Sequence, residues 1–167
     1  ESVAMSFTNF SVVDTAPSPD ETISMSGGIT MAVSDNGTTL TATMSGSSFA
    51  VTSSIDGSFT MKNFSIAVSE DSPTATSPTG NYSFTVTMTT NIASLSGDVD
   101  ITTPTPFTGT GDSNPTAGVM VITGDNGGTL TLTAQLDGST VTVVLDTAGA
   151  NGSTAPQTLA STTWDAI

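Results

Sequence analysis

From Thr129 to Leu136 every even position is apolar and every odd position is Thr or Gln. Successive side chains of a strand point to opposite faces, so this run encodes a strand with one apolar and one hydroxyl face. The two-residue period returns along nearly the whole chain, and no 3.6-residue period competes with it. The pattern predicts an all-β, mostly antiparallel fold in which each apolar face must be covered by something.

Turn chemistry divides the pattern into strands. Asp137-Gly138-Ser139 follows the first run, and Thr140 to Leu145 resumes the alternation, which predicts a hairpin. Gly28 to Ser34, the turn Asp35-Asn36-Gly37 and Thr39 to Met44 predict another. Further turns are expected at Ser45-Gly46-Ser47 and Ile55-Asp56-Gly57. Strands are expected at Ser58 to Val68, Asn81 to Thr89, Asp98 to Thr102 and Gly118 to Thr123. Loops are expected at Ala16 to Asp20, Asp71 to Gly80, Pro104 to Ala117 and Thr147 to Thr162.

Two segments repeat. Asp35-Asn36-Gly37-Thr38-Thr39-Leu40-Thr41-Ala42-Thr43 returns as Asp125-Asn126-Gly127-Gly128-Thr129-Leu130-Thr131-Leu132-Thr133. Met5-Ser6-Phe7-Thr8-Asn9-Phe10-Ser11-Val12 is echoed by Phe59-Thr60-Met61-Lys62-Asn63-Phe64-Ser65-Ile66. In both copies of the second motif the apolar parity switches from odd to even around the Asn. A β-bulge at Thr8-Asn9 and at Lys62-Asn63 restores one apolar face, and points Phe10 and Phe64 into the core. Unequal spacings argue for a duplicated sheet motif within a single domain, 1–167, rather than a solenoid. Numerous strands of unequal length favour an antiparallel β-sandwich, with an extended meandering sheet as the alternative.

Charge narrows the functions. The chain has 1 Lys or Arg, 15 Asp or Glu and no His, giving a net charge of −14. With Lys62 as the lone cationic side chain, neither nucleic acid nor an anionic membrane is a plausible partner. The absence of Cys and His removes disulfides, thiolate zinc sites and His-based catalytic dyads. Ser and Thr make up about a third of the residues, yet mean hydropathy is +0.13, too high for a disordered chain. Scarce tryptic sites, no apolar run near the ~20 residues of a membrane span, and a start at Glu1 that opens no signal peptide together suggest a processed, secreted chain.

Few groups are equipped for chemistry. Asp146 to Ser153 has the outline of a calcium loop, but only Asp146 and Asn151 supply side-chain ligands where several carboxylates are needed, so the cofactor expectation is none, or weak calcium. Asp98 and Asp100 share one strand face, where like charges favour a common cation, although solvent exposure is the preferred explanation. A carboxylate-only glycosidase would want aromatic platforms, and the one Trp and one Tyr lie far from the acidic pairs in sequence. Met25, Met31, Met44, Met88 and Met120 read as core rather than copper ligands. Ser/Thr/Pro segments at Ser72 to Thr79 and Thr103 to Pro106 are candidate O-glycan sites.

The Thr rows carry the strongest functional hint. Thr129, Thr131 and Thr133, like Thr39, Thr41 and Thr43, form a neutral array where most soluble sheets place Lys and Glu to block pairing. Such a face can lie against another subunit without stranding a charge. The N-terminal segment, with Val3, Met5 and Phe7 on one parity, is a candidate strand for donation to a neighbour.

The stretch from Thr103 to Trp164 resembles the closing segment of secreted β-rich surface proteins and lipoproteins of Gram-negative bacteria. The likeness rests on Thr103-Pro104-Thr105-Pro106-Phe107, Pro115-Thr116-Ala117-Gly118, Val121-Ile122-Thr123-Gly124, the Leu145-Asp146 loop and Thr162-Thr163-Trp164. It implies a β-rich fold at the cell surface. The expected function is therefore a non-catalytic extracellular structural protein, a subunit or decoration of a filament or surface layer, whose partners are itself or other surface proteins. A carbohydrate- or ice-binding β-module is the alternative. A thermal melt in millimolar calcium checks the loop, and only a small rise in Tm is expected from two side-chain ligands.

Overall fold

The computed structural model describes residues 1–15, 20–55, 57–72, 80–92, 97–147 and 156–166. Ten strands follow in chain order: β1 (Ser2–Asp14), β2 (Glu21–Asp35), β3 (Thr39–Ser53), β4 (Gly57–Asp71), β5 (Asn81–Ile92), β6 (Asp98–Thr110), β7 (Ala117–Gly124), β8 (Thr129–Ala134), β9 (Thr140–Asp146) and β10 (Gln157–Thr163). Each pairs antiparallel with its predecessor, and together they form one meandering sheet with no crossover. The sheet is not closed into a barrel. A 3-10 turn, Trp164–Ala166, follows β10.

The two repeated segments keep their roles. Asp35-Asn36-Gly37 turns β2 into β3, and Asp125-Asn126-Gly127 turns β7 into β8. In the first, the Asn36 side-chain oxygen accepts from the backbone N–H groups of Thr38 at 2.9 Å and Thr39 at 2.8 Å. Asp137 does the same for the β8–β9 turn, accepting from the N–H groups of Ser139 and Thr140 at 2.9 Å each.

Asn9 and Asn63 have φ of 49° and 47°, the two non-glycine residues in the left-handed region among those described. Asn tolerates that region better than bulkier residues do. The register slips between Phe7 and Phe10 against β2, and between Lys62 and Ser65 against β5. Both bulges fall where the parity switch places them, and the rings of Phe7 and Phe10 meet edge to face at 6.2 Å on one face. The consequence for the next Phe differs. Phe64 is 2 % exposed, whereas Phe10 is 47 % exposed and does not enter the core. Phe64 lies between β3 and β5, which wall it in; Phe10 lies on β1, which has a neighbour on one side only.

Three local expectations need correction. Ser45-Gly46-Ser47 is not a turn, because β3 runs straight through it. Gly46 pairs with Phe64, and a Cβ there would sit 2.5 Å from Phe64 Cζ, so the glycine clears space for the ring. Residues 104–110 are strand rather than loop. The prolines at 104 and 106 fall where the β6 register breaks against β7, and a ladder N–H is dispensable at such breaks. Nearby, the Thr103 hydroxyl donates to Val86 O at 3.2 Å and accepts from Val86 N at 2.9 Å, satisfying both backbone groups. Finally, β10 occupies part of the expected loop from Thr147 to Thr162. The loop tips at Ser18-Pro19 and Ser77-Pro78 lie outside the described residues.

The second sheet favoured on sequence grounds is absent among the described residues. The sheet instead curls toward its apolar face. Phe107 on β6 touches Trp164, beyond β10, with ring centroids 5.7 Å apart. Four flat strand spacings would separate them by roughly 19 Å. The buried core, Phe49, Phe64, Val86, Phe107, Ala134, Val141 and Val143, lies along that inner face. Phe64→Ala is expected to cost about 3–5 kcal/mol in denaturant unfolding, and Phe10→Ala less than about 1.5 kcal/mol. Equal costs would show that Phe10 is covered in solution.

Candidate functional site

The inner apolar face is covered unevenly. On the long strands β1 to β4, Val3, Met5, Phe10, Met31, Val33 and Leu40 stay exposed, Val3 at 61 % and Met31 at 47 %. Val12 and Val68 extend the same patch. Register pairs Val3 with Met31, Met31 with Met44 and Met44 with Ile66, so the side chains form a continuous apolar row. The acidic residues of these strands sit at their ends, at Asp14, Glu21, Asp35, Glu70 and Asp71, and leave the patch centre uncharged. Exposed at 38–61 %, eight such side chains present roughly 600 Å² of apolar surface, the upper end for a monomer.

Val3, Met5 and Phe7 therefore share a face as expected, but they belong to their own sheet. Val3 pairs with Met31, Met5 with Ile29 and Phe7 with Gly27, so in this structure the segment is an edge strand rather than a donated one. Phe7 also packs edge to face on Phe49 at 5.6 Å, across Gly27. β1 carries no Lys or Pro to guard its outer edge, and its bulge at Asn9 is the one interruption. At the other edge, β10 is 7 residues long, about half of β1 at 13 residues.

Thr129, Thr131 and Thr133 lie on the opposite, hydroxyl face and far from β1 in strand order. One transverse row there runs Ala4, Thr30, Ser45, Ser65, Thr87, Thr102, Val121, Thr131, Val144 and Thr158. The array is small-residued, but Val121 and Val144 interrupt its hydroxyls.

The acidic candidates are engaged separately. Lys62 Nζ reaches both Asp98 oxygens, at 3.0 and 2.8 Å, and Asn91 donates to Asp98 at 3.0 Å. Asp100 accepts from the Thr89 hydroxyl at 2.6 Å, so the two carboxylates are engaged by different partners. Asp146 ends β9 opposite Thr129, and Asn151 lies outside the described residues. Among the described residues no cluster of three metal-ligating side chains forms.

What sequence reading missed is an aromatic cavity of about 380 Å³ on the inner face. Tyr82 and Phe84 of β5, Phe107 of β6 and Trp164 line it, with Met120 and Leu132 beside them. The one Trp and one Tyr of the chain, 82 positions apart, thus meet in space. Glycines seat the rings: a Cβ on Gly109 would lie 2.5 Å from Tyr82 Oη. The Tyr82 hydroxyl donates to Ser113 O at 2.8 Å, and partial burial raises its pKa above the ordinary phenol value. The sequence signal was the gathering of scarce aromatics near Gly on neighbouring strands, which only the register could expose.

No family model matches the chain, and no curated protein or solved structure matches it either.

Two carboxylates give the protein an acid-sensitive component. The hydrogen bonds from Lys62 and then Asn91 hold Asp98 below the usual carboxylate range, and the backbone N–H groups of Ser139 and Thr140 do so for Asp137. Their folded pKa values lie below the unfolded ones, so their stabilisation is full above the usual range and is lost as pH falls through the folded values. Asp137→Asn and Asp98→Asn are each expected to flatten the fall in Tm between neutral pH and about pH 2. A second check concerns Thr90, which is 4 % exposed and whose hydroxyl has no partner among the described residues. Thr90→Val is expected to be neutral or to stabilise by about 1 kcal/mol in the same unfolding assay.

Proposed function

We propose that the protein is a non-catalytic, extracellular structural subunit that works by assembly, with the apolar face of β1–β4 covered by the same face of a second copy. The uncovered patch carries this reading. A sheet with one apolar face gains stability when a second layer covers it, and here no second layer is present among the described residues. The exposed patch of roughly 600 Å², with half-buried neighbours such as Met44 and Ile66, approaches the ~800 Å² per partner of a stable interface. A self-complementary contact of this kind requires no cross-interface charge pairs, and the patch centre offers none.

The near absence of Lys and Arg, the hydroxyl-rich outer face and the resemblance of residues 103–164 to bacterial surface proteins support a place in a cell-surface filament or layer. The ungarded outer edge of β1 offers main-chain donors and acceptors for further growth. A carbohydrate- or ice-binding module has less to rest on, because the curl of the sheet and the interrupting valines keep the Thr array from being flat and uniform.

Sedimentation at high micromolar protein is the test. A dimer or larger species is expected, strengthened by salt because screening weakens repulsion between two chains of net charge −14. Met31→Glu is expected to give a monomer with an unchanged β spectrum. A wild-type protein that stays monomeric at every salt concentration would overturn the reading.

A further inference from the structure

The aromatic cavity adjoins the assembly patch, since Phe84 pairs with Val68, but the assembly reading uses none of its aromatic rings. Nine aromatic residues are present in 167, and four of them, Tyr82, Phe84, Phe107 and Trp164, converge on this one space. Phe107 and Trp164 stand nearly perpendicular, at 82°, and so form a corner of two rings. The accessible lining is apolar: the Tyr82 hydroxyl is held on Ser113 O, and Trp164 Nε1 is buried without a partner among the described residues. At about 380 Å³ the cavity is at the small end of ligand sites.

The charge on the segments beside the cavity favours a cationic occupant. Two segments beyond the sheet reach the cavity, residues 111–116 through Pro115 and the 3-10 turn through Trp164, and the β8–β9 turn packs against both. Trp164 N donates to Ser139 O at 3.4 Å, and a Cβ on Gly138 would lie 3.3 Å from Thr116 Cγ2, which ties the turn to both others. Each segment carries one aspartate, Asp112, Asp137 and Asp165. The chain's lone cationic side chain, Lys62, is held by Asp98 on the β4–β6 hydroxyl face, so no side-chain cation offsets these three.

We infer that the cavity binds a small apolar cation of the quaternary ammonium class. Ring faces attract such a cation through their quadrupoles, and its methyl groups need no hydrogen-bond partner. The exposed aspartates of the adjoining segments, in a chain of net charge −14, add long-range attraction for a cation and repel an anionic amphiphile of the same size.

Trp164 is the one Trp of the chain, so its fluorescence reports on the cavity directly. Benzyltrimethylammonium titrated into the wild-type protein is expected to change that emission saturably. Binding should be about tenfold tighter than for neopentylbenzene, its neutral isostere, and benzenesulfonate should give no saturable change. Phe84→Leu, which keeps an apolar lining but removes one ring, is expected to weaken the cation severalfold with little effect on the isostere. Should that variant fail to fold, the wild-type comparison of cation and isostere still decides. Equal or tighter binding of the isostere, binding of the sulfonate, or no saturable response to the cation would each overturn the inference. Met31→Glu, on β2 and three strands away from Phe84, is expected to leave the titration unchanged, which separates this site from the assembly reading.

Discussion

Keeping the large majority of apolar side chains on one face is the constraint on which the rest of this structure depends. Two-residue alternation does so only while the register is unbroken, and one inserted residue sends the remainder of a strand to the wrong face. The long strands contain such insertions. Left-handed Asn9 and Asn63 absorb them in β1 and β4, and further register breaks follow in β2–β3, β5–β6 and β6–β7. Since bulges increase local twist, a band of them across neighbouring strands also curves the sheet. One device thus holds the apolar face together and contributes to its curl.

The curl has unequal results in the two halves. Strands β7 to β10 are 6–8 residues long, and the chain beyond them brings Trp164 back over Phe107. There the sheet covers its own inner face, and Val141 is fully buried. Strands β1 to β4 are 13–15 residues long and have nothing folded over them among the described residues. Their apolar side chains remain at the surface, with acids gathered at the strand ends. Self-coverage in one half creates a small aromatic cavity, while its lack in the other creates a surface suited to association.

Specific residues show where sequence reading succeeds. The parity switch in Met5-Ser6-Phe7-Thr8-Asn9-Phe10 is visible without coordinates, and so is the bulge that must repair it. The Asp-Asn-Gly and Asp-Gly turns are equally legible, because their side chains bond to backbone groups two and three residues ahead. Gly46 misleads for the opposite reason. Its absent Cβ serves Phe64 on the next strand rather than a turn in its own, and a cross-strand need leaves no mark in the local pattern. The prolines at 104 and 106 mislead likewise, since they sit at a break in pairing that depends on β7.

By itself, the sequence determined most of the strands, their polarity, the turns that need Asn, Asp and Gly, and the removal of nearly all cationic chemistry. These are properties of neighbouring residues, governed by steric preference and by the alternation of side chains along one strand. Tertiary structure decided that the strands form one curled sheet rather than two layers, that Phe64 is buried while Phe10 is not, and that Tyr82 meets Trp164. Each of these depends on which strands stand beside a given residue and how far the sheet bends, and both are set by the summed twist of many pairings rather than by any local run of residues.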